Sequence, residues 1–354
     1  MLRFSNFLFP ESRAPEDDSR IIAESLEEAK LCDALGVEVL WLAEHHFDGN
    51  CAYVDPVTFA AAVAACTTRI KIGFAVAQVS LHHPIRLAEQ IALLDNLTRG
   101  RLIVGLGRGT AYNVYEYQGY GIDWQEAGAR YEEAEGIMLR AWTSPGGFEH
   151  HGRFWDLKVP QLRPVPFTRP HPAVLRAASS EEGALHLARR GLPFMMNVQS
   201  MATTRRRLAA YRAGLAEAGH DAARAAACMA ESWVWRNVVV AETDADAERL
   251  GIPAFEAMQE HRKLLRERIY AEQGIRMVTE VAPPARAQVA DALICGSPAT
   301  VAARMAEIDA TGVGGVICSF RLGPMPAAVA SESIRLFMTQ VAPEFTAGRA
   351  LAAE

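Results

Sequence analysis

The chain lacks a basic tract: 36 Lys and Arg against 42 Asp and Glu leave a formal net charge of −6. Its one tight cationic run, Arg205-Arg206-Arg207, reads as a solvated helix face, and the balance argues against a nucleic-acid surface. No apolar stretch reaches membrane-spanning length, and the first 13 residues hold no signal-peptide core. No membrane association is therefore expected, and a cytoplasmic location follows by default. Cysteines are few and scattered (Cys32, Cys51, Cys66, Cys228, Cys295, Cys318), with no C-x-x-C pair. Neither a zinc knuckle nor a disulfide framework is suggested, and most read as small core residues. Repeats and low-complexity tracts are missing too. So is the dinucleotide fingerprint, since Gly105-x-Gly107-x-Gly109 follows a strand at the wrong spacing.

What is present is an alternation. Short apolar segments at 2–9, 37–43, 70–79, 102–106, 173–178, 192–196, 233–240 and 315–320 read as eight strands. Nearly all are separated by helical patterns with recognisable ends. Ser19 is read as a cap and Gly36 as a stop, Asp55-Pro56 as a start, and Ser179-Ser180 as the cap of a helix from residue 181. Segment 112–124 reads as a polar, aromatic loop and 148–157 as a hairpin. This order predicts an α/β chain: one (β/α)8 TIM barrel over residues 1–354. Insertions are expected at about 110–170 and 250–296, the second a lid-like excursion before the eighth strand. A doubly wound sheet is the alternative.

In a barrel the strand C-termini converge on one face, and the polar residues sit there: Glu44, His45, His46, Gln78, Arg108, Ser179, Ser180, Asn197, Ser319 and Arg321. Glu44, His45 and His46 allow a metal centre, an acid/base site or buried structural histidines. Adjacent strand residues point opposite ways, so His45-His46 and His82-His83 each offer one imidazole to a common point, and no metal is expected. His82 and His83 either shape the turn before Pro84 or act directly. Arg108 between two glycines suits a phosphate; alternatively it pairs with Glu116 or Glu126. Ser179 and Ser180 at a helix N-terminus favour an anion or simply cap. Coming from separate strand ends, the arginine and the serines together point to a phosphate-bearing ligand.

Ala43-Glu44-His45-His46-Phe47, Ile72-Gly73-Phe74-Ala75-Val76, Leu81-His82-His83-Pro84-Ile85-Arg86-Leu87-Ala88-Glu89, and Gly105-Leu106-Gly107-Arg108-Gly109 carry a resemblance. The chain resembles the bacterial luciferase-like, two-component flavin-dependent monooxygenases. The match is dense to about Gly109 and resumes at Ala178-Ser179-Ser180. The resemblance implies a barrel that takes reduced FMN from a separate flavin reductase, by diffusion or transient contact. There the flavin reacts with oxygen to a C4a-(hydro)peroxyflavin, which oxidises a small organic substrate.

By position, Ala75 and Val76 match the segment beside the isoalloxazine, often reached through a non-proline cis peptide, with Gln78 next to it. Arg108 and Ser180 match phosphate-binding residues, Ser179 beside them. His45 matches the active-site histidine, with Glu44 or His46 orienting it. A homodimer through helices near the second and third strands is also implied, which the alanine-rich helix after Pro56 suits. Two departures stand out: Gly183 replaces a hydroxyl that some members use, and Ser179 stands where luciferase has a carboxylate, so light emission is not implied. The family's mobile lid would fall at about 250–294, with Pro283 and Pro284 inside it. Tyr112, Tyr115, Tyr117, Tyr120 and Trp124 either line a substrate pocket or pack the insertion. Three alternatives remain: a deazaflavin-dependent hydride-transfer enzyme, a non-catalytic flavin-binding protein, and a metal-barrel hydrolase.

Overall fold

The structure is a computed structural model that describes residues 2–109, 113–144, 146–274 and 292–346. In chain order the described strands are β1 (Arg3–Leu8), β2 (Val39–Leu42), β3 (Lys71–Phe74), β4 (Ala77–Gln78), β5 (Leu102–Gly107), β6 (Phe148–His151), β7 (Asp156–Val159), β8 (Ala173–Ala178), β9 (Phe194–Met196), β10 (Trp233–Val240), β11 (Leu293–Gly296) and β12 (Gly315–Ser319). Eight of them close a parallel barrel in the order β1-β2-β3-β5-β8-β9-β10-β12, with β12 paired back to β1. Every residue of β2 and β12 is buried, which a parallel strand covered on both faces requires and which their apolar runs supply. Inside the barrel Trp41 and Trp233 meet edge to face with centroids 5.4 Å apart. Each needs a bare neighbour: a Cβ on Gly73 would lie 2.3 Å from the Trp41 ring, and one on Gly315 2.2 Å from that of Trp233.

The helices are α1 (Asp18–Leu35), α2 (Pro56–Cys66), α3 (Pro84–Thr98), α4 (Val114–Gly119), α5 (Ala127–Thr143), α6 (Glu181–Arg189), α7 (Met201–Glu217), α8 (Ala222–Glu231), α9 (Asp244–Gln273), α10 (Pro298–Asp309), α11 (Ala327–Leu336) and α12 (Pro343–Thr346). Asp55 caps α2 through Val57 N and Thr58 N, as its position before Pro56 predicts. No described helix is long and apolar enough to cross a membrane.

Several expectations are corrected. The third strand is interrupted: a cis peptide joins Ala75 to Val76, and its halves β3 and β4 pair separately with β5. Ser19 lies inside α1, which starts at Asp18 after a 3-10 turn, Pro15–Asp17. α4 occupies part of the expected loop, α8 was not foreseen, and β11 adds a ninth parallel strand on the C-terminal half of β10. The hairpin is there as β6 and β7. The second insertion is mostly the 30-residue α9, with Pro253 inside it. The remainder of the expected lid, 275–291 with Pro283 and Pro284, lies outside the described residues, as does Tyr112.

Candidate active site

Beyond β2 the chain leaves the barrel at its C-terminal rim as Ala43-Glu44-His45-His46. The neck is pinned to β1: Ala43 N donates to Tyr53 Oη at 2.9 Å, and that hydroxyl donates to Leu8 O at 2.7 Å. The next side chains then diverge into two clusters.

Glu44 centres the first. Its Oε1 lies 3.0 Å from His46 Nε2 and 2.7 Å from His82 Nε2, and its Oε2 accepts from Gln78 N at 2.6 Å. Burial opposes its ionisation, but the bonds from His46, His82 and Gln78 outweigh that and hold the carboxyl at about 2. Burial likewise opposes a cation on His82, and the bond to Glu44 and its charge win, raising His82. His82 is thus a partner of the motif, whereas His83 is exposed ahead of α3. Neither histidine pair lies in a strand, yet each sends one ring to this carboxylate.

Glu116, fully buried on α4, centres the second cluster. Its Oε1 lies 3.0 Å from His45 Nδ1 and accepts from His46 N at 3.1 Å; its Oε2 accepts from Gln78 Nε2 at 2.9 Å. Asn113 Nδ2 stands 3.2 Å from His45 Nδ1. Burial works against a charged His45, yet the charge and hydrogen bond of Glu116, with Asp48 behind it, raise its pKa. Asp48 accepts from Asn50 and, at 2.7 Å, from Tyr115 Oη. Neither Glu44 nor the His46 ring contacts His45 by a hydrogen bond; the carboxylate at its Nδ1 is that of Glu116. His45, Asp48 and Glu116 offer ligand atoms within 4.8 Å of one another, but all three carboxylate or imidazole groups already hold hydrogen bonds. Gln78 links the clusters, because its Nε2 also donates to Glu44 O at 2.8 Å.

Arg108 does not pair with Glu116, and Glu126 is taken by Arg153 at 2.7 Å. Among the described residues Arg108 makes no ion pair, and it is exposed. β5 runs parallel to β8 with Leu106 level with Arg176, so Arg108 and the Ser179-Ser180 pair follow the ends of neighbouring strands, and a side chain on Gly128 of α5 would lie 3.9 Å from Arg108 Nη1. Ser180 caps α6 by accepting from Gly183 N at 3.0 Å; Ser179 is exposed beside it. On the other flank of β5, Ala75 and Val76 are half-buried, and Val76 rests on Gly107.

An aromatic wall that sequence reading missed completes the mouth. Phe9 meets the His45 ring edge to face at 5.4 Å, Phe7 stacks on Phe9 and touches Trp235 at 4.1 Å, and Arg262 of α9 lies 4.9 Å from the Phe9 centroid. Tyr115 packs with Leu265, Ile269 and Tyr270 of α9, and Tyr117 Oη donates to Arg108 O, so both pack the insertion. Tyr120 is exposed, its hydroxyl 3.2 Å from His46 Nδ1; Trp124 is half-buried. Arg321 turns to α1 and pairs with Glu24, and Asn197 Oδ1 accepts from Gln199 Nε2 at 3.1 Å.

Fold and rim together define a (β/α)8 barrel with a histidine–carboxylate network, an exposed arginine and two serines at the C-terminal face. The chain belongs to the luciferase-like monooxygenase family, whose model matches residues 2–315. The oxygenase component of the flavin-dependent trigonelline monooxygenase of Acinetobacter baylyi is 29% identical over 178 residues, 50% of this chain and 49% of that one. The chain thus spans about half the length of the curated relatives it matches. Monooxygenase RslO1 of Streptomyces bottropensis superposes with a TM-score of 0.82 at 26% identity, over 97% of this chain and 100% of that one. Two more distant structures share the fold. One is the oxygenating constituent of 3,6-diketocamphane monooxygenase of Pseudomonas putida in complex with FMN (TM-score 0.79, 22% identity, 97% and 98% covered). The other is an F420-dependent secondary alcohol dehydrogenase (0.73, 15%, 96% and 98%).

Proposed function

We propose that this chain is the oxygenase of a two-component system, which receives reduced FMN from a separate reductase and uses it with oxygen to oxidise a small organic substrate. The observation that carries the reading is Arg108, exposed and without an ion pair among the described residues, at the end of β5 between the end of β8 that leads into Ser179, Ser180 and α6 and the half-buried Ala75-Val76 segment. A cation, two hydroxyls and helix N–H groups suit a phosphate, and the apolar segment suits a ring. In this reading Arg108, Ser179 and Ser180 hold the phosphate, and Ala75, Val76 and Gln78 back the ring. The reduced flavin supplies the electrons that activate oxygen. His45 holds or moves a proton at Nε2, and the aromatic wall of Phe7, Phe9 and Trp235 limits water at the reacting atoms.

The test mixes photoreduced FMN, oxygen and a panel of aldehydes, ketones, sulfur compounds and aromatic substrates, and looks for oxygenated product. None with any of them, in folded protein that binds FMN, would leave the non-catalytic flavin-binding alternative. Arg108→Ala is expected to weaken FMN binding by roughly 10- to 100-fold, the worth of a charge-assisted bond, and to leave riboflavin binding unchanged. Equal losses for both would remove the phosphate assignment. Because an F420-dependent enzyme shares the fold, the same titration is run with the deazaflavin, and preferential binding of it would favour hydride transfer without oxygen.

The reading includes a homodimer. Leu93 and Leu97 of α3 and the nearby Phe167 are more than half exposed, and Ala61, Ala62 and Ala65 of α2 are exposed next to them. Light scattering is expected to give about twice the 38.6 kDa chain mass, and Leu93→Glu with Leu97→Glu to give monomers. A monomeric unmodified chain sinks this part.

A further inference from the structure

We propose that Glu116 is a positioning residue that keeps neutral His45 in the tautomer protonated on Nδ1, and holds that ring in register with the 75–78 segment. The inference rests on the reading above, in which His45 works through Nε2.

The argument is a count of donors. Glu116 is fully buried, and three groups converge on its carboxylate: His45 Nδ1 at 3.0 Å and His46 N at 3.1 Å on Oε1, Gln78 Nε2 at 2.9 Å on Oε2. A backbone N–H and an amide NH2 can only donate, so both oxygens accept, and two fixed donors, one on each oxygen, favour the ionised carboxylate. A carboxylate has no proton to give His45, so the proton in the 3.0 Å contact sits on Nδ1. A neutral imidazole carries one proton, which leaves the Nε2 lone pair on the opposite edge of the ring. Asn113 fits the same assignment with its amide oxygen toward Nδ1, because the oxygen and nitrogen of such a side chain are assigned by their surroundings. Asp48 behind the ring favours its cation and Arg262 opposes it, but neither selects a tautomer.

Gln78 extends the constraint. Its Nε2 bridges Glu116 and Glu44 O, while its backbone N is held by Glu44 Oε2, so one rigid unit contains His45 and the residue following the Ala75-Val76-Ala77 run. A shift of the ring relative to that run would break at least one of these buried bonds.

The test uses the full chain, histidine-labelled with 15N and 13C, without flavin, the His45 signal being assigned by its loss in His45→Ala. The expected result is an Nδ1–H pattern for neutral His45. In Glu116→Gln that pattern is lost and the midpoint of His45 moves down. With reduced FMN and oxygen, kcat for product falls on the order of 100-fold, with little change in KM. The proposal is overturned if the unmodified chain carries the proton on Nε2, or if Glu116→Gln leaves tautomer and midpoint unchanged. Should Glu116→Gln not fold, the tautomer of the unmodified chain decides alone. These readouts need no flavin, so they fail separately from the monooxygenase reading, which fails if an Nδ1–H protein turns over no substrate.

Discussion

Glu44→Ala is expected to lower the unfolding free energy by roughly 3–5 kcal/mol, the range for removing one member of a buried ion pair. The loss falls on several groups at once. His82 and His46 lose their shared acceptor, and Gln78 N, bonded at 2.6 Å, is left buried without one. Against a total stability of about 5–15 kcal/mol this is a large fraction.

The pH dependence has a definite sign. Glu44 is lowered from 4.5 to about 2, so its contribution is fully present above 4.5 and is lost as pH falls toward 2. His82 is raised above 6.5, so its contribution is fully present below 6.5 and is lost as pH rises through its folded value. The gap between the unmodified chain and Glu44→Ala should therefore be widest between about 4.5 and 6.5 and shrink on both sides. Urea titrations at a series of pH values measure it. A gap within about 0.5 kcal/mol of zero at pH 5.5, the size of an ordinary surface change, would mean that Glu44 does not anchor the rim.

The barrel was legible because its cues are local. Glycines and prolines punctuate apolar runs, and Asp55-Pro56 or Ser180 mark helix starts without reference to distant residues. What escaped depends on distant residues. α4 is six residues long and aromatic, too short to stand by propensity; Tyr115 is held by Leu265 and Ile269, some 150 residues on. β11 exists because β10 is long enough to pair with β9 at Trp233 and Val234 and with β11 at Asn237–Val240, β12 lying along Trp233–Asn237. The interruption of the third strand could not be read from its continuous apolar run, only carried over from the resemblance.

The same division runs through the site. Glu44, His45 and His46 are contiguous and announced themselves, but which carboxylate serves which histidine was not local. Glu116, 71 positions beyond His45, reads in the sequence only as a partner for Arg108. The faint signal that could have found it is a lone acid among Tyr115, Tyr117 and Tyr120, in a segment otherwise suited to burial. Phe7 and Phe9 gave none, because an aromatic in a first strand reads as core.

His45→Ala is expected to cut product formed per reduced FMN by a factor of 10² to 10⁴, the usual range for a positioned acid or base, while reduced FMN and oxygen continue to be consumed. The two outcomes separate because Arg108, Ser180 and the Ala75-Val76 segment share no hydrogen bond with His45, so binding survives. Folding should survive as well: the His45 side chain is 26% exposed, and Glu116 keeps the donors His46 N and Gln78 Nε2. A base must be neutral to accept a proton, and Glu116 raises His45 above its ordinary 6.5, so product formation should rise with pH through that raised value. The alanine variant should lack that limb. The measurement is product and peroxide per flavin, against pH, for both proteins. Unchanged product coupling in His45→Ala, or a variant that keeps the rising limb, would move the proton chemistry to another group, with Tyr120 and His46, 3.2 Å apart at the outer rim, as the next candidates.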